Sequence, residues 1–341
     1  MKIGVLTGGG DCPGLNAVIR AVVKKSEKGG DSVLGIKNGW KGLVEGIVEP
    51  LTDFSVSGLL PKGGTVLGTS RTNPFKSDES VAKCENNFKK YGLDALVAIG
   101  GEDTLGVAKK FAERGLPVVG VPKTIDNDLN GTDQTFGFDT AVNVVMEAID
   151  RIHTTAESHH RAMVVEVMGR HAGWIAAVSA IAGGADYCLI PEKPFKIEDV
   201  CASIQARKKK GKEFSIIVVA EGATPVGGAL STATGKTDEF GHAQLGGIGN
   251  WVAQEIEKRT GFETRVTILG HIQRGGTPTA FDRLIATRYG LRAVDLVRGK
   301  KWGRMVSLSG FRITDVPLPS IEQQKRDLDM DLYKDVEVFF S

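Results

Sequence analysis

Two short stretches, IGGEDTL at residues 99–105 and VVGVPKTIDND at residues 118–128, decide the fold. Each begins with or follows an apolar β-type run, residues 95–99 and 118–121, and ends in a polar cluster. Apolar runs of this length, bounded by glycine and proline, predict buried parallel strands. Ligands of open α/β sheets bind beyond the carboxyl ends of the strands. The two polar clusters are therefore the first candidates for a functional site.

These clusters bring four carboxylates and one ammonium to one edge of the predicted sheet: Glu102, Asp103, Asp126, Asp128 and Lys123. Converging carboxylates repel one another unless a cation lies between them. Mg²⁺, a hard ion that binds oxygen ligands and phosphates, suits such a cluster. Solvated loop acids are the plainer interpretation. Two clusters that both coincide with glycine-rich strand ends argue against it.

The motifs GGEDT and PKTIDND resemble those of the phosphofructokinases, more narrowly of their pyrophosphate-dependent branch, and the resemblance extends over nearly the whole chain. It implies an α/β fold of two layered Rossmann-like domains with largely parallel sheets and an active site in the interdomain cleft. A phosphoryl-donor-binding domain would comprise residues 1–137 and 275–318. A fructose 6-phosphate-binding domain would comprise residues 138–274 and 319–341.

Composition sets the outer bounds of the function. The chain has 341 residues, enough for two domains, and its net charge of +2 gives no general attraction to nucleic acid or membranes. Met1 and Lys2 lead directly into a predicted strand without a signal peptide, and no apolar run approaches membrane-span length. The cysteines are scattered, which favours reduced thiols in a cytoplasmic protein. They are Cys12, Cys84, Cys188 and Cys201.

Two further glycine-rich turns point to phosphate. TGGGDCPGLN at residues 7–16 joins a predicted strand to a helix, which is a generic anion site, although a turn without a ligand is possible. By the resemblance, Gly9 and Gly10 bind the transferring phosphoryl group. KGGTVLGTSR at residues 62–71 ends in Arg71, which matches a family arginine on the phosphoryl donor. A lone surface arginine is the alternative for Arg71.

Further predicted contacts to fructose 6-phosphate lie in the MGR turn, which follows the predicted strand at residues 163–167. By the resemblance, Met168, Gly169 and Arg170 touch fructose 6-phosphate, and Arg170 also reaches the transferring group. Glu221 lies where the family binds sugar hydroxyls. Taken alone, Met168 would be read as core packing and Glu221 as an ordinary acid at a strand end.

A second signature, ETRVTILGHIQRGG at residues 263–276, supplies the predicted ligands of the sugar 6-phosphate. By the resemblance, His271 and Arg274 bind it from the same chain, while Arg161 and Arg265 reach it from a neighbouring subunit. Arginine binds a dianionic phosphate bidentately. A lone histidine is more often structural. The resemblance thus implies a homo-oligomer, dimer or tetramer, with a shared active site.

The implied reaction is phosphoryl transfer to the 1-hydroxyl of fructose 6-phosphate, which requires positioning, charge neutralisation and a base. Asp126 matches the family's base, and Asp128 assists it or holds the metal. Thr124 adds a hydroxyl contact near the sugar or the donor. Glu102 is expected to hold Mg²⁺ directly or through water, although the family usually has aspartate at this position.

Two positions predict the donor. ATP-using members carry G-G-D-G, and Asp103 stands at the glycine that follows their acid, where its carboxylate would crowd and repel an α-phosphate. They carry a small residue where this chain has Lys123. Unit charges about 4 Å apart at a partly shielded site interact by roughly 4 kcal/mol, and about 1.4 kcal/mol changes an equilibrium tenfold. We predict pyrophosphate, with an ATP-dependent 6-phosphofructokinase as the alternative.

Two other classes are less favoured. An NAD or lipid kinase shares a related glycine loop but lacks the MGR and HIQRGG signatures, and an inactive regulatory paralogue would lack the aspartate at position 126. Regulation is a separate expectation. Arg20 and Lys24 are basic where regulated bacterial members bind effectors, but Asp53 replaces their arginine. We therefore expect weak or absent control by nucleotides.

Local patterns add three expectations. Asp78 is predicted as the N-cap of a helix that ends before Gly92. Residues 222–249, rich in Gly, Thr and Ala, show neither a helical nor a strand period and are predicted as a long loop. Residues 207–212 are predicted as a solvated basic helix end. The charged C-terminal tail carries no functional signal.

Overall fold

The computed structural model describes residues 1–228, 232–237, 243–318 and 325–340. Its strands are β1 Lys2–Thr7, β2 Ser32–Ile36, β3 Val48–Leu51, β4 Ala95–Gly100, β5 Val118–Pro122, β6 Ala162–Val167, β7 Tyr187–Leu189, β8 Ser215–Ala220, β9 Thr232–Thr237, β10 Ala243–Leu245, β11 Thr264–Ile268, β12 Arg304–Ser309 and β13 Arg312–Pro317. Its helices are α1 Leu15–Lys28, α2 Trp40–Glu45, α3 Asp78–Lys90, α4 Glu102–Glu113, α5 Phe138–His159, α6 Trp174–Gly183, α7 Ile197–Lys209, α8 Ile248–Thr260, α9 Ala280–Arg298 and α10 Met330–Glu337. The 3-10 turns are Pro74–Lys76 and Gly270–Arg274.

The large sheet has the strand order β13-β12-β5-β4-β1-β2-β3. It is parallel except at its edges, where β3 and β13 run antiparallel to their neighbours. Every residue of β4 is buried, because helices cover both faces of the sheet. Val97 and Ile99 pack in the cluster that contains α1 and α9, whereas Leu96 and Ala98 pack in the cluster that contains α3 and α4.

The small sheet, β11-β6-β8-β7, is parallel throughout. Residues of α5 and α6 pack on one face, and residues of α7 and α8 pack on the other. One buried cluster continues from β1 and β4 through α5 to β6 and β8, so the two sheets share part of their core. The predicted α/β class with largely parallel sheets is confirmed. The domain boundaries given above stay a prediction.

The predicted loop at residues 222–249 is partly wrong. β9 and β10 pair there as an antiparallel two-stranded ribbon, and α8 already begins at Ile248. Residues 229–231 and 238–242 of this segment lie outside the described residues. The Thr- and Gly-rich composition hid the strands, since few large apolar residues mark them.

One local prediction is wrong, and the predicted solvated helix end at residues 207–212 holds only for its exposed residues 208–212. Ser77, not Asp78, caps α3: its side chain accepts a hydrogen bond from the Ser80 N–H, and Asp78 is the first helical residue. Both residue types cap helices, so sequence alone placed the cap one residue late. Arg207 is not solvated, because its guanidinium lies 2.8 Å from the Asp186 carboxylate and its side chain is only 13% exposed.

Two further predictions concern the cysteines and membrane-spanning segments. The four cysteines are free thiols and buried. Burial raises the pKa of the Cys12 thiol to about 12, and this thiol donates to the carbonyl of Phe136 at 3.6 Å, which is a packing role. Within the described part of the chain, no helix has the length and apolar character needed to cross a membrane.

Candidate active site

A polar cleft lies where the carboxyl ends of β1, β4 and β5 face the carboxyl end of β6. Both sheets contribute to it, since each of these strands is followed within three residues by a lining residue. The lining residues are Gly9, Gly10, Gly101, Glu102, Asp103, Thr104, Lys123, Thr124, Asp126, Asp128, Arg170 and Arg274. Ten of the residues predicted for the site are thus brought together.

The glycine loop after β1 follows a path that side chains would block. Gly9 has a φ of +77°, which favours glycine. A β-carbon on Gly8 would overlap the Thr104 hydroxyl, and a β-carbon on Gly10 would overlap the guanidinium of Arg274. The loop is tied to its neighbours by the Gly9 N–H, which donates to the carbonyl of Ser70 at 3.1 Å. Backbone therefore lies open toward the cleft, as phosphate binding requires.

Lys123 places a buried cation beneath this loop. Its side chain is 3% exposed and its ammonium donates to the carbonyl of Gly10. Burial lowers the pKa of Lys123, and the negative charges of Asp126 and Asp11 oppose that shift. Burying an ammonium without a charged partner costs desolvation free energy. A phosphate bound beside Lys123 would offset part of that cost.

The turn after Lys123 holds Asp126 in one orientation. The Asp126 N–H donates to the Thr124 hydroxyl at 3.1 Å, and Asn127 has a φ of +54° that asparagine tolerates. The Asn127 side chain accepts from the Thr135 N–H at 3.0 Å. Oδ1 of Asp126 is buried and accepts no hydrogen bond from any described residue. A fixed carboxylate oxygen with a vacant lone pair can accept a proton from a bound hydroxyl.

Asp128 stands in a cluster of acids. Burial and the charge of Asp126 together raise its pKa to about 7, and the charge of Lys325 opposes the shift. The charge of Glu102 adds to the rise. Glu102 itself pairs with Lys325, whose ammonium lies 3.5 Å from Oε2. The acids at this edge are thus partly balanced by a lysine from the C-terminal tail.

Glu102 and Asp103 are the first two residues of α4, with Gly101 as N-cap. Acids there are favoured by the helix dipole, by about 0.3–1 kcal/mol each. No three His, Cys, Asp or Glu side chains in the described ranges are grouped so that they could hold an ion unaided. Mg²⁺ in phosphoryl-transfer sites is bound by one or two carboxylates together with substrate phosphates and waters. Glu102 and Asp128 fit that smaller donor set.

On the opposite wall, the turn after β6 presents Arg170 to the cleft. Arg170 has a φ of +55°, and its N–H donates to Oε1 of Glu221 at 3.1 Å. A β-carbon on Gly222 would overlap the Arg170 carbonyl, so the backbones meet closely. Burial and the charge of Asp126 together raise the pKa of Glu221 to about 7, and the hydrogen bond from the Arg170 N–H opposes the shift.

Met168 and Gly169 belong to the same turn. The Met168 N–H donates to the side chain of Gln273 at 3.2 Å, which joins this turn to the turn Gly270–Arg274 after β11. Arg274 lines the cleft, whereas His271 is exposed beside it. Gln273 is fully buried. It fixes the relative position of the two turns.

Arg161 and Arg265 lie at the other end of the small sheet. Arg161 precedes β6 and Arg265 is the second residue of β11, and both pair with the carboxylate of Glu263. A strand of six residues spans about 16 Å, so neither guanidinium reaches the cleft of its own chain, and neither lines it. The role of these two arginines toward a neighbouring subunit stays a prediction.

Arg71 is exposed and is not among the residues that line the cleft. It directly follows Ser70, whose carbonyl binds Gly9, so its backbone borders the glycine loop. At the predicted effector position, Lys24 pairs with Asp53. The roles assigned to these residues stay predictions.

The comparisons identify the family. Residues 2–297 match the family model described as phosphofructokinase. The chain belongs to the phosphofructokinase family. A pyrophosphate–fructose 6-phosphate 1-phosphotransferase from Amycolatopsis methanolica is 57% identical over 341 residues, which covers 100% of both chains. An ATP-dependent 6-phosphofructokinase from Mycobacterium tuberculosis is 51% identical over 342 residues, again with 100% of both chains covered. A phosphofructokinase crystal structure from Pichia pastoris gives a TM-score of 0.85 at 34% identity and covers 99% of this chain and 36% of that chain.

Sequence reasoning missed three side chains of this phosphofructokinase site. Thr104 lines the cleft and fills the space left by Gly8 and Gly100, yet it looks like an ordinary helix residue. Gln273 is the uncharged residue beside Arg274 in the HIQRGG motif, and its type alone does not indicate a role in joining two turns. Lys325 comes from the tail. A signal existed for Thr104 alone, since glycines on two neighbouring strand ends predict a close contact.

Proposed function

We propose that this phosphofructokinase transfers a phosphoryl group from pyrophosphate to the 1-hydroxyl of fructose 6-phosphate. The products are fructose 1,6-bisphosphate and phosphate, and the reaction is reversible and serves glycolysis and gluconeogenesis. One observation carries the proposal: the buried ammonium of Lys123 and the carboxylate of Asp103 face the same cleft as Asp126. The Amycolatopsis relative named for pyrophosphate supports it.

The chemistry follows from the geometry of the Asp126 turn. The Asp126 carboxylate takes the proton of the 1-hydroxyl, whose oxygen attacks the nearer phosphorus of pyrophosphate. The bond from that phosphorus to the bridging oxygen breaks, and the electron pair leaves with inorganic phosphate. Asp128 assists the base or helps to hold the metal. The turn's internal hydrogen bonds keep the base in place, which supports catalysis by positioning.

Groups on both walls of the cleft bind the negatively charged phosphoryl group that is transferred. Gly9, Gly10 and Lys123 bind the transferring group from below, and Arg170 binds it from the sugar side. Thr124 contacts the sugar or the donor. The remaining ligands proposed for the two substrates are Arg71 for the donor and Met168, Gly169, Glu221, His271, Arg274 and, from a second copy, Arg161 and Arg265 for the sugar phosphate.

Glu102 and Asp128 are the proposed protein ligands of Mg²⁺. When bound with pyrophosphate, the ion neutralises oxygens of the donor and favours the leaving phosphate. The unpartnered oxygen of Asp126 and the negative charge of Glu102 close to Asp128 support a cation at this edge.

The start of α4 favours the shorter donor. A helix N-terminus normally offers N–H groups to phosphate, but here Glu102 and Asp103 place two carboxylates at that end. An α-phosphate beside Asp103 would meet like charge, whereas pyrophosphate ends before that point. Lys123 compensates the charge of the shorter donor. ATP is the alternative, because the Mycobacterium relative is named for it.

We also propose a cytoplasmic homo-oligomer, a dimer or tetramer, in which each cleft is completed by a second copy. The support is the placement of Arg161 and Arg265 about one strand length from the cleft of their own chain. Two guanidiniums gathered on the single carboxylate of Glu263 leave positive charge available to a phosphate.

The test is a coupled assay that detects fructose 1,6-bisphosphate. Purified protein, fructose 6-phosphate and Mg²⁺ are combined with pyrophosphate or with ATP. We expect rapid product formation with pyrophosphate and slow or absent formation with ATP. Product from ATP alone would replace the proposal by its alternative. No product from either donor, in protein shown to be folded, would overturn the reaction itself.

A further inference from the structure

Residues 325–328 of the C-terminal tail contact both the loop after β5 and the start of α6. The Arg326 N–H donates to the carbonyl of Asp128 at 3.0 Å, and its guanidinium donates to the carbonyl of Asp133 at 2.5 Å. The Trp174 indole N–H donates to the Arg326 carbonyl at 3.1 Å, and the guanidinium stacks 4.3 Å from the Trp174 ring centroid. The segment is therefore fixed both to the loop after β5 and to α6.

The next residues anchor the segment further. The Leu328 N–H donates to Oε1 of Glu192 at 2.9 Å, and the Leu328 side chain is buried in the core cluster. The same Glu192 oxygen accepts from the Gly173 N–H at 2.9 Å, at the start of α6. Because hydrogen bonds hold this segment on several sides, the backbone of the residue that precedes it is also fixed in position.

That side chain is Lys325. Its ammonium lies 3.5 Å from Oε2 of Glu102, and the side chains are 30% and 26% exposed. Its charge also acts on the carboxylate of Asp128. The tail thus adds a cation to the acids at the donor end of the cleft, from a part of the chain almost 200 positions away from Asp128.

We propose that Lys325 is a positioning residue of the donor site, which balances Glu102 in the free protein and attracts the pyrophosphate anion. This inference rests on the proposed function. The ammonium and a free divalent cation compete for the Glu102 carboxylate, so Lys325 weakens binding of the bare metal. The same ammonium strengthens binding of a polyanion. The two effects have opposite signs, which a purely structural role would not produce.

The experiment removes the charge and keeps the hydrocarbon stem. The Lys325→Met protein should bind Mn²⁺ about fivefold more tightly than the unchanged protein. Electron paramagnetic resonance measures this affinity in the absence of a phosphoryl donor. The same variant should bind methylenediphosphonate, a pyrophosphate analogue that cannot be cleaved, about fivefold more weakly in calorimetry without metal. Lys325→Arg restores the charge and should return both affinities toward those of the unchanged protein.

The matched control is Lys334→Met, since Lys334 is a tail lysine that pairs with Asp331 on α10. It should change neither affinity. Unchanged affinities in Lys325→Met would overturn the inference, and so would a loss of both, which would indicate damage to the tail packing. Neither assay needs turnover. A protein that used ATP in the coupled assay would refute the proposed donor, whereas the Mn²⁺ result would still test the contact with Glu102.

Discussion

The Arg274 guanidinium lies against the Cα of Gly10, in the space that a β-carbon would fill. Gly10→Ala should therefore push aside the end of a flexible side chain and cost little stability. We expect KM for fructose 6-phosphate to rise about tenfold, because a displaced guanidinium loses a charged contact worth about 1.5–3 kcal/mol. Steady-state kinetics and thermal unfolding measure the two effects.

Gly63→Ala is the control for that prediction. A β-carbon there would overlap the backbone carbonyl of Gly276, which cannot turn away. We expect a clear fall in melting temperature for Gly63→Ala and almost none for Gly10→Ala. A Gly10→Ala protein with unchanged KM would show that the position of Arg274 does not matter to sugar-phosphate binding.

Asp126→Ser tests the base. The change removes the carboxylate and leaves the phosphate ligands, so kcat should fall by roughly 10² to 10⁴ with a smaller change in sugar-phosphate affinity. Stopped assays and calorimetry give the two values, and the change of exposed Asp331 to serine on α10 is the control. Near-normal kcat would remove Asp126 from the role of base.

Mixing two defective chains tests the shared site. Arg161→Ala damages the contribution to a neighbour, and Asp126→Ser damages the chain's own cleft. Hybrids formed by dissociation and reassembly should regain activity, because some of their sites carry neither defect. Activity is compared with each parent treated in the same way. Proven hybrids that remain inactive would contradict the cross-subunit role of Arg161.

The buried carboxyl of Asp282 should make the free energy of unfolding depend on pH. It is fully buried, accepts from the Thr140 N–H at 2.8 Å and has a pKa raised by burial to about 6, against an ordinary value of 3.8. Between these values the folded protein holds a proton that the unfolded chain releases, so stability falls as pH rises from about 4 to about 6. Above that range the loss is complete and constant.

Asp282→Asn keeps an acceptor for Thr140 but cannot ionise. Its free energy of unfolding relative to the unchanged protein should rise through that pH window, to a gain of about 1–3 kcal/mol at pH 7. Urea unfolding between pH 4.5 and 8 measures the difference, with exposed Asp331→Asn for comparison. A difference that does not vary with pH would contradict a raised pKa for Asp282.

Some of the fold was predictable because its cause is local. Strands β4 and β5 are buried on both faces, so almost every residue in them is apolar, and the polar clusters at their carboxyl ends stand out. Asp103 and Asp126 could be placed together because β4 and β5 are neighbouring parallel strands that end at one edge. The orientation of Asp126 could not be predicted, since it depends on the contact of Asn127 with Thr135.

Other features could not be predicted from local patterns. Lys325 reaches Glu102 because the tail packs against Trp174 and the loop after β5, contacts that leave no periodic signal. The pairing of Arg207 with Asp186 likewise joins α7 to the residue before β7, and in the sequence it looks like one basic residue among several. Long-range charge pairs of this kind are decided by packing, not by propensity.

The measurement that bears most directly on donor choice is kcat/KM for pyrophosphate and for ATP at saturating fructose 6-phosphate. It is made on the unchanged protein, Asp103→Gly, Lys123→Gly and the double variant. The unchanged protein should favour pyrophosphate by about a hundredfold or more. Lys123→Gly should be poor with both donors, and the double variant should lose pyrophosphate efficiency and gain ATP efficiency. The effects should be non-additive, because the two residues face one cleft. Preference for ATP in the unchanged protein, or no rise in ATP use in either background with Asp103→Gly, would contradict this account of the donor.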